Sequence, residues 1–279
     1  MDNKELLRAL EGASERWEPG IRVIGFHAIA SLADRFGLSR HEAELTALSA
    51  EIVPERYLRN MYSLSAGGQK RLLESTVVLV GLGGLGGHLL DQFSRAGVGC
   101  IRAFDGDGFD PTNLNRQLLS REAKVDKPKA EAALEHAMSI NSATRLDIRE
   151  MFLDKDTLRE ILQGADLLVD ALGALDDRAI LASAAAQAEV PLVTAAVAGW
   201  TAWLSTVFPG DPDPSELLRS TGSGDDAQHT LGVPTPAVTA LAGIQAAEAI
   251  RLLAGEEPCL RRKMLVMDLS SMSFETMSL

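Results

Sequence analysis

Between Val77 and Lys129 the chain runs through strand, glycine turn, helix, strand and acid in unbroken order. Val77-Val78-Leu79-Val80 is an apolar run that opens directly into Gly81-Leu82-Gly83-Gly84-Leu85-Gly86-Gly87. A helical pattern follows, then a second apolar run, Ile101 to Phe104, that ends at Asp105. This is the βαβ fingerprint of a nucleotide-binding sheet. Gly81, Gly83, Gly84 and Gly86 permit a tight turn, let backbone approach phosphates and let the helix sit close to the sheet. The helix start offers free N–H groups and partial positive charge to an anion. Asp105 is placed to accept hydrogen bonds from ribose hydroxyls.

The residues beyond Asp105 narrow the choice of nucleotide. Asp105-Gly106-Asp107 is followed by Thr112-Asn113-Leu114-Asn115-Arg116-Gln117 and then by Lys127-Pro128-Lys129. A dinucleotide oxidoreductase has no need of a polar, basic loop directly after its ribose-binding acid. A site that holds a triphosphate and neutralises charge moving onto pyrophosphate does need one.

Net charge is −12, which argues against nucleic acid or an anionic membrane surface as the main partner. No apolar run is long enough to span a bilayer. The start Met1-Asp2-Asn3-Lys4-Glu5 lacks a signal peptide's basic and apolar segments, so a cytoplasmic address is expected. The two cysteines, Cys100 and Cys259, form no CxxC pair, so neither a disulfide framework nor a structural zinc is expected.

Read in order, residues 1–55 form a helical segment: Leu6, Leu7 and Leu10 share helical spacing, as do Ile29, Leu32 and Phe36. Ser39 with Glu42 reads as a capping box. Residues 56–279 then form the nucleotide-binding domain, with Gly67-Gly68-Gln69 leading into a short helix before the sheet begins. Strands are predicted near Arg145 to Arg149, at Ala165 to Asp170 and at Leu192 to Ala195, each following a helical stretch. The alternation predicts an α/β, doubly wound, Rossmann-like and mostly parallel sheet. Trp200 to Phe208 and a hairpin, Lys263 to Asp268 with Ser273 to Met277, add an antiparallel C-terminal extension. A Gly-, Pro-, Ser- and Asp-rich stretch at about 209–231 reads as a crossover loop or lid, closed by Gly232-Val233-Pro234-Thr235-Pro236.

Taken together, Arg56-Tyr57-x-Arg59, Gly81 to Gly86, Asp105-x-Asp107, Asn113 to Gln117, Pro128-Lys129 and Gln245 to Ile250 occur in an order and spacing that resembles the ubiquitin-activating-enzyme superfamily. Within it the chain is most similar to the bacterial adenylyltransferases that activate sulfur carriers of molybdopterin and thiamine synthesis. The resemblance covers roughly Glu55 to the C-terminus. It implies ATP-dependent adenylylation, with Mg2+, of the terminal Gly-Gly carboxylate of a small β-grasp carrier protein. It also implies that Gly84 lies near the nucleotide, Asp105 holds the ribose, Asn113 and Arg116 line the phosphates and Lys129 approaches the phosphate under attack. Asp107, Thr112 and Gln117 join the nucleotide-binding candidates, Gln117 as a group that orients Arg116. Arg59 matches an arginine that reaches the triphosphate of a neighbouring subunit, so a homodimer is expected.

Two departures from the family pattern stand out. Gly173 occupies the position of the usual metal-binding Asp, which leaves Asp170, Asp176 or Asp177 as candidate magnesium ligands. Gln228 and His229 stand where some relatives carry a cysteine, so no covalent thiol intermediate is expected. Three alternatives remain beside carrier adenylylation. They are a nucleotide-binding partner of a carrier with little or no catalysis, an adenylyltransferase for a small-molecule carboxylate, and an NAD-dependent dehydrogenase, which would leave Asn113, Arg116 and Lys129 unexplained.

Overall fold

The computed structural model describes residues 3–18, 20–173, 175–215 and 227–279. Its centre is an eight-stranded sheet built from β4 (Thr76–Val80), β5 (Cys100–Phe104), β6 (Arg145–Arg149), β7 (Leu167–Asp170), β8 (Leu192–Ala198), β9 (Thr201–Val207), β10 (Lys263–Asp268) and β11 (Ser273–Ser278). The spatial order is β11-β10-β9-β8-β7-β4-β5-β6. Strands β6, β5, β4, β7 and β8 run parallel, and β9, β10 and β11 continue antiparallel. The sheet and its antiparallel extension are those expected from the alternation of apolar runs.

Alternate residues of β4 divide two cores. Val77 and Leu79 face α5 (Gly84–Ala96), α6 (Lys129–Ile140) and α10 (Thr235–Leu253). Val78 and Val80 face α7 (Lys155–Ile161) and α8 (Leu175–Gln187), meeting Leu158, Leu162 and Leu181. Every β4 residue is buried, which is why the strand reads as a continuous apolar run rather than an alternating one. Helix α4 (Ala66–Glu74) leads into β4; Gly67, Gly68 and Gln69 lie inside it, and the Ser65 hydroxyl caps it by accepting from the Gly68 N–H.

The N-terminal segment is only partly helical. Its helices α1 (Asn3–Ala13), α2 (Phe26–Phe36) and α3 (Arg40–Ser49) are joined by a three-stranded sheet of β1 (Ser14–Glu18), β2 (Ile21–Ile24) and β3 (Ile52–Pro54). β1 was not legible as a strand because no face of it is buried, so it carries no apolar alternation. The unit has its own core of Leu6, Leu10, Ile24, Ile29, Leu32, Ala43, Ala47 and Ile52. The capping box of Ser39 and Glu42 on α3 is formed as the sequence predicts. Among the described residues no helix is long and apolar enough to cross a membrane.

Candidate active site

The chain leaves β4 for β5 on one side and later returns to place β7 on the other. A crevice therefore opens beyond the carboxyl ends of these three strands, the place where open α/β sheets bind ligands. There a cavity of about 220 Å³ is walled by Gly81, Gly83 and Gly84 after β4, Asp105 and Asp107 after β5, and Ala171, Leu172 and Gly173 after β7. Two glycines are sterically required. Gly81 has φ +96°, and a Cβ there would lie 2.7 Å from the Ala171 carbonyl oxygen. A Cβ on Gly86 would stand 1.9 Å from the Gly81 carbonyl oxygen, so Gly86 seats α5 on the loop and does not line the cavity. No side chain caps the start of α5, which leaves its first-turn N–H groups pointing toward the crevice for an anion.

Asp105 does two jobs in the backbone of this loop: one oxygen accepts the Leu82 N–H at 2.7 Å and the other the Asp107 N–H at 2.9 Å. Each oxygen retains a lone pair for a further donor. Lys129, the first residue of α6, is 6% exposed. Its ammonium lies 2.9 Å from Asp107 and 3.9 Å from Asp105. Arg116 lines the cavity beside Gly84, its Nη1 donating to the Thr112 carbonyl at 2.8 Å and to Asn115 Oδ1 at 2.9 Å. The charged lining of the cavity is thus two acids, Asp105 and Asp107, against two bases, Arg116 and Lys129.

The remaining expected site residues are distributed around the cavity rather than in it. Thr112 and Asn113 build the 3₁₀ turn that presents Arg116: Asp110 accepts from the Thr112 N–H and hydroxyl, and Asn113 Oδ1 accepts from the Asp110 N–H. Neither lines the cavity. Gln117 does, packed against Gly83 with its buried Oε1 unpartnered, and it makes no hydrogen bond to Arg116. Arg59 lies outside, exposed on the 3₁₀ turn Glu55–Asn60.

Asp170, the expected magnesium ligand, is enclosed. It is fully buried beneath the cavity, where its oxygens take the Leu172 N–H, the Thr194 hydroxyl and the Arg178 guanidinium. Burial pushes its carboxyl up, against the opposing pull of Arg178. Its oxygens are turned to these partners rather than exposed in the crevice. The side chains of Asp176, Asp177 and His229 lie outside the described residues. Among the described residues no cluster of three His, Cys, Asp or Glu could hold a metal. Asp107, with its side chain 57% exposed, is the more open of the two cavity carboxylates.

Sequence reasoning missed the apolar side of the site. Val197, Val233 and Val238 complete the wall with Gln228 from α9 (Ala227–Leu231). Val233 belongs to the Gly232–Pro236 segment, whose glycine and prolines were the only signal. That segment is tied to the Arg116 loop, since Asn115 donates to the Val233 carbonyl and its own carbonyl accepts from the Thr235 hydroxyl. A larger cavity of about 430 Å³ between α7 and α8 is lined by Lys155, Arg159 and Val190 and shares no residue with the glycine loop.

Residues 57–279 match the model of the ThiF family. The chain belongs to the ThiF family. The SAMP-activating enzyme E1 of Haloferax volcanii is 32% identical over 232 residues, covering 80% of this chain and 84% of that protein. The sulfur carrier protein ThiS adenylyltransferase of Bacillus subtilis is 36% identical over 199 residues, 70% of this chain and 59% of that one. In fold, this ThiF-family chain is similar to Escherichia coli MccB solved with ATP, with a TM-score of 0.67, 20% identity and coverage of 90% and 82%. The family match begins at Tyr57, within the turn that carries Arg59, and so leaves the N-terminal unit outside it.

Proposed function

We propose that this chain is an adenylyltransferase that activates the C-terminal Gly-Gly carboxylate of a small ubiquitin-like carrier protein, using ATP and releasing pyrophosphate. The observation that carries this reading is the pairing, across one crevice, of an uncapped glycine-loop helix with Arg116 and Lys129. Membership of a family whose relatives activate SAMP and ThiS supports it. In the proposed division, residues 56–279 form the ATP-binding domain and residues 1–55 a unit docked on it.

In the reaction, a carboxylate oxygen of the carrier attacks the α-phosphorus of ATP. The new C–O–P linkage is an acyl-adenylate, and the bond from the α-phosphorus to its bridging oxygen breaks as pyrophosphate leaves. The nucleophile is already ionised near neutral pH, so no general base is required. What the site must supply is position and positive charge. The α5 N-terminus receives phosphate oxygens, Asp105 accepts from the ribose, and Arg116 and Lys129 take up charge growing on pyrophosphate. Magnesium would arrive on the triphosphate, with Asp107 the open carboxylate beside it, since Mg2+ keeps several waters and needs few protein ligands.

Two acids balance two bases in the cavity, so a triphosphate there needs a further cation. Arg59 is exposed and makes no hydrogen bond or ion pair among the described residues. It would serve the crevice of a second copy in a homodimer, in the manner of an arginine finger.

The test is magnesium-dependent exchange of labelled pyrophosphate into ATP, with and without Gly-Gly carriers. Exchange that depends on one carrier is expected, and Arg116→Ala should lower it by about 10³-fold with an unchanged melting temperature. ATP binding without exchange on any carrier would point to a non-catalytic partner or to a small-molecule carboxylate. Mixing Arg59→Ala with Arg116→Ala subunits should restore about one quarter of wild-type turnover, because half the dimers are mixed and each holds one whole site. No recovery would place Arg59 outside the neighbour's site.

A further inference from the structure

We propose that the N-terminal unit acts in the reaction by fixing the pose of Arg59, through a buried polar seam centred on Glu44, Arg56 and Asn141. The inference rests on the adenylylation reading above and gives the first fifth of the chain a task within it.

The 3₁₀ turn Glu55–Asn60 follows β3 directly, and nearly every side chain in it is tied down. Glu55 accepts the Phe26 N–H at the start of α2. The Arg56 guanidinium lies 3.2 Å from Glu44 of α3, donates to Asn141 Oδ1 and sits 5.1 Å from the Phe26 ring. Tyr57 is fully buried, and a Cβ on Gly97 would fall 2.4 Å from its ring, so the turn is seated on bare backbone at the end of α5. Asn141, at the end of α6, donates to the Tyr57 hydroxyl and to the Ser94 carbonyl. Leu58 packs with the cluster of Val53, Tyr57 and Met61, and Asn60 donates to Gln69. Among the described residues, Arg59 is the one polar side chain of the turn that makes no hydrogen bond or ion pair.

A seam of this kind is costly. Glu44 is 0% exposed, and neither of its oxygens has a hydrogen bond of good geometry. Buried ion pairs are often no more stabilising than apolar residues of the same volume, and their best-attested use is to specify one arrangement among several. Here the arrangement specified is that of a short turn held from α2, α3, α5 and α6 at once. A long arginine that must meet a triphosphate loses much of its value if its backbone wanders, since misplacement by about 1 Å is costly in catalysis. Glu44, Arg56 and Asn141 are therefore positioning residues that act through Arg59.

The test replaces the pair by apolar residues, Glu44→Leu with Arg56→Met, which leaves Asn141 Oδ1 its bond from the Ala143 N–H. Turnover at saturating ATP and carrier should fall about tenfold, with the KM for ATP within about twofold and the melting temperature kept or raised. Adding Arg59→Ala to this variant should cost nothing beyond Arg59→Ala alone, the mark of groups acting as one unit. Amide hydrogen exchange across Glu55–Asn60 should quicken about tenfold while that of β4 stays unchanged. Losses that multiply in the combined variant, undiminished turnover, or unchanged exchange at the turn would each overturn the proposal. Should the paired variant not fold, Arg56→Lys keeps the charge but loses the fork that spans Glu44 and Asn141, and the same outcomes are read on it. Wild-type protein that exchanges no pyrophosphate would instead overturn the adenylylation reading, and exchange at the turn would still decide the positioning.

Discussion

Two aspartate ion pairs flank the crevice floor, and they differ in almost everything except their chemistry. Asp170–Arg178 lies below it, each side chain 1% exposed, with further bonds from the Leu172 N–H and Thr194 to the acid and from Arg178 to the Ala195 and Leu172 carbonyls. The Trp203 ring stands 5.8 Å from the guanidinium. Asp107–Lys129 lies on the wall, the lysine buried but the aspartate more than half exposed and, among the described residues, hydrogen-bonded through its side chain to that lysine alone. In the first pair both acid oxygens and both Arg178 Nη groups are engaged, and only Arg178 Nε lacks a partner among the described residues. The second keeps an open carboxylate face, so its lysine can be shared with an incoming phosphate. Burial and bond count, rather than residue type, separate an acid that holds the fold from one free to meet a ligand.

Removing one member of each pair should break this symmetry in opposite directions. Asp170→Ala leaves Arg178 buried without its counter-charge, and should lower unfolding free energy by about 3–5 kcal/mol in urea denaturation. The replacement of both by apolar residues should recover most of that loss. Loss of pyrophosphate exchange by Asp170→Ala at full stability would instead return this acid to the chemistry. Lys129→Ala should do the reverse, lowering exchange by about 10²–10³-fold with a melting temperature within a few degrees of wild type. A Lys129 variant that melts early and turns over normally would make the wall pair structural too.

The sequence could show where these acids stand in the chain but not what surrounds them. The glycine loop and Asp105 were legible because backbone sterics and strand-end position dictate residue type at short range: Gly81 and Gly86 admit no side chain at all. Arg116 and Lys129 were legible as a basic loop, and both reach the cavity. Thr112 and Asn113 look like ligand groups in the same motif, yet the Thr112 hydroxyl and Asn113 Oδ1 are engaged with Asp110 in building the turn. Asp170 sits at a strand end, as Asp105 precedes a strand-end loop, and only the register of Thr194 on β8 and the reach of Arg178 from α8 reveal that it is enclosed. The small sheet of the N-terminal unit left no periodic signal because β1 buries nothing. Long-range pairing, not local propensity, decided each of these.

Glu44–Arg56 falls between the two pairs and gives the finest test of the distinction. It is buried like the floor pair, but its acid lacks the hydrogen bonds that satisfy Asp170. Burial pushes the Glu44 carboxyl above its ordinary 4.5, opposed by Arg56, Tyr57 and the more distant Arg40. A folded-state value above the unfolded one means that the folded protein binds this proton more readily. The stability it contributes is complete below the unfolded value and is lost as pH rises through the raised folded value. Glu44→Gln removes that titration. The melting temperature of the variant relative to wild type should therefore climb as pH rises above the ordinary glutamate value of 4.5. Asp170→Asn cannot be read the same way, because its neighbours donate to both oxygens. A flat difference for Glu44→Gln across that range would mean that Arg56 fully offsets the burial of Glu44, and that the seam carries no uncompensated charge.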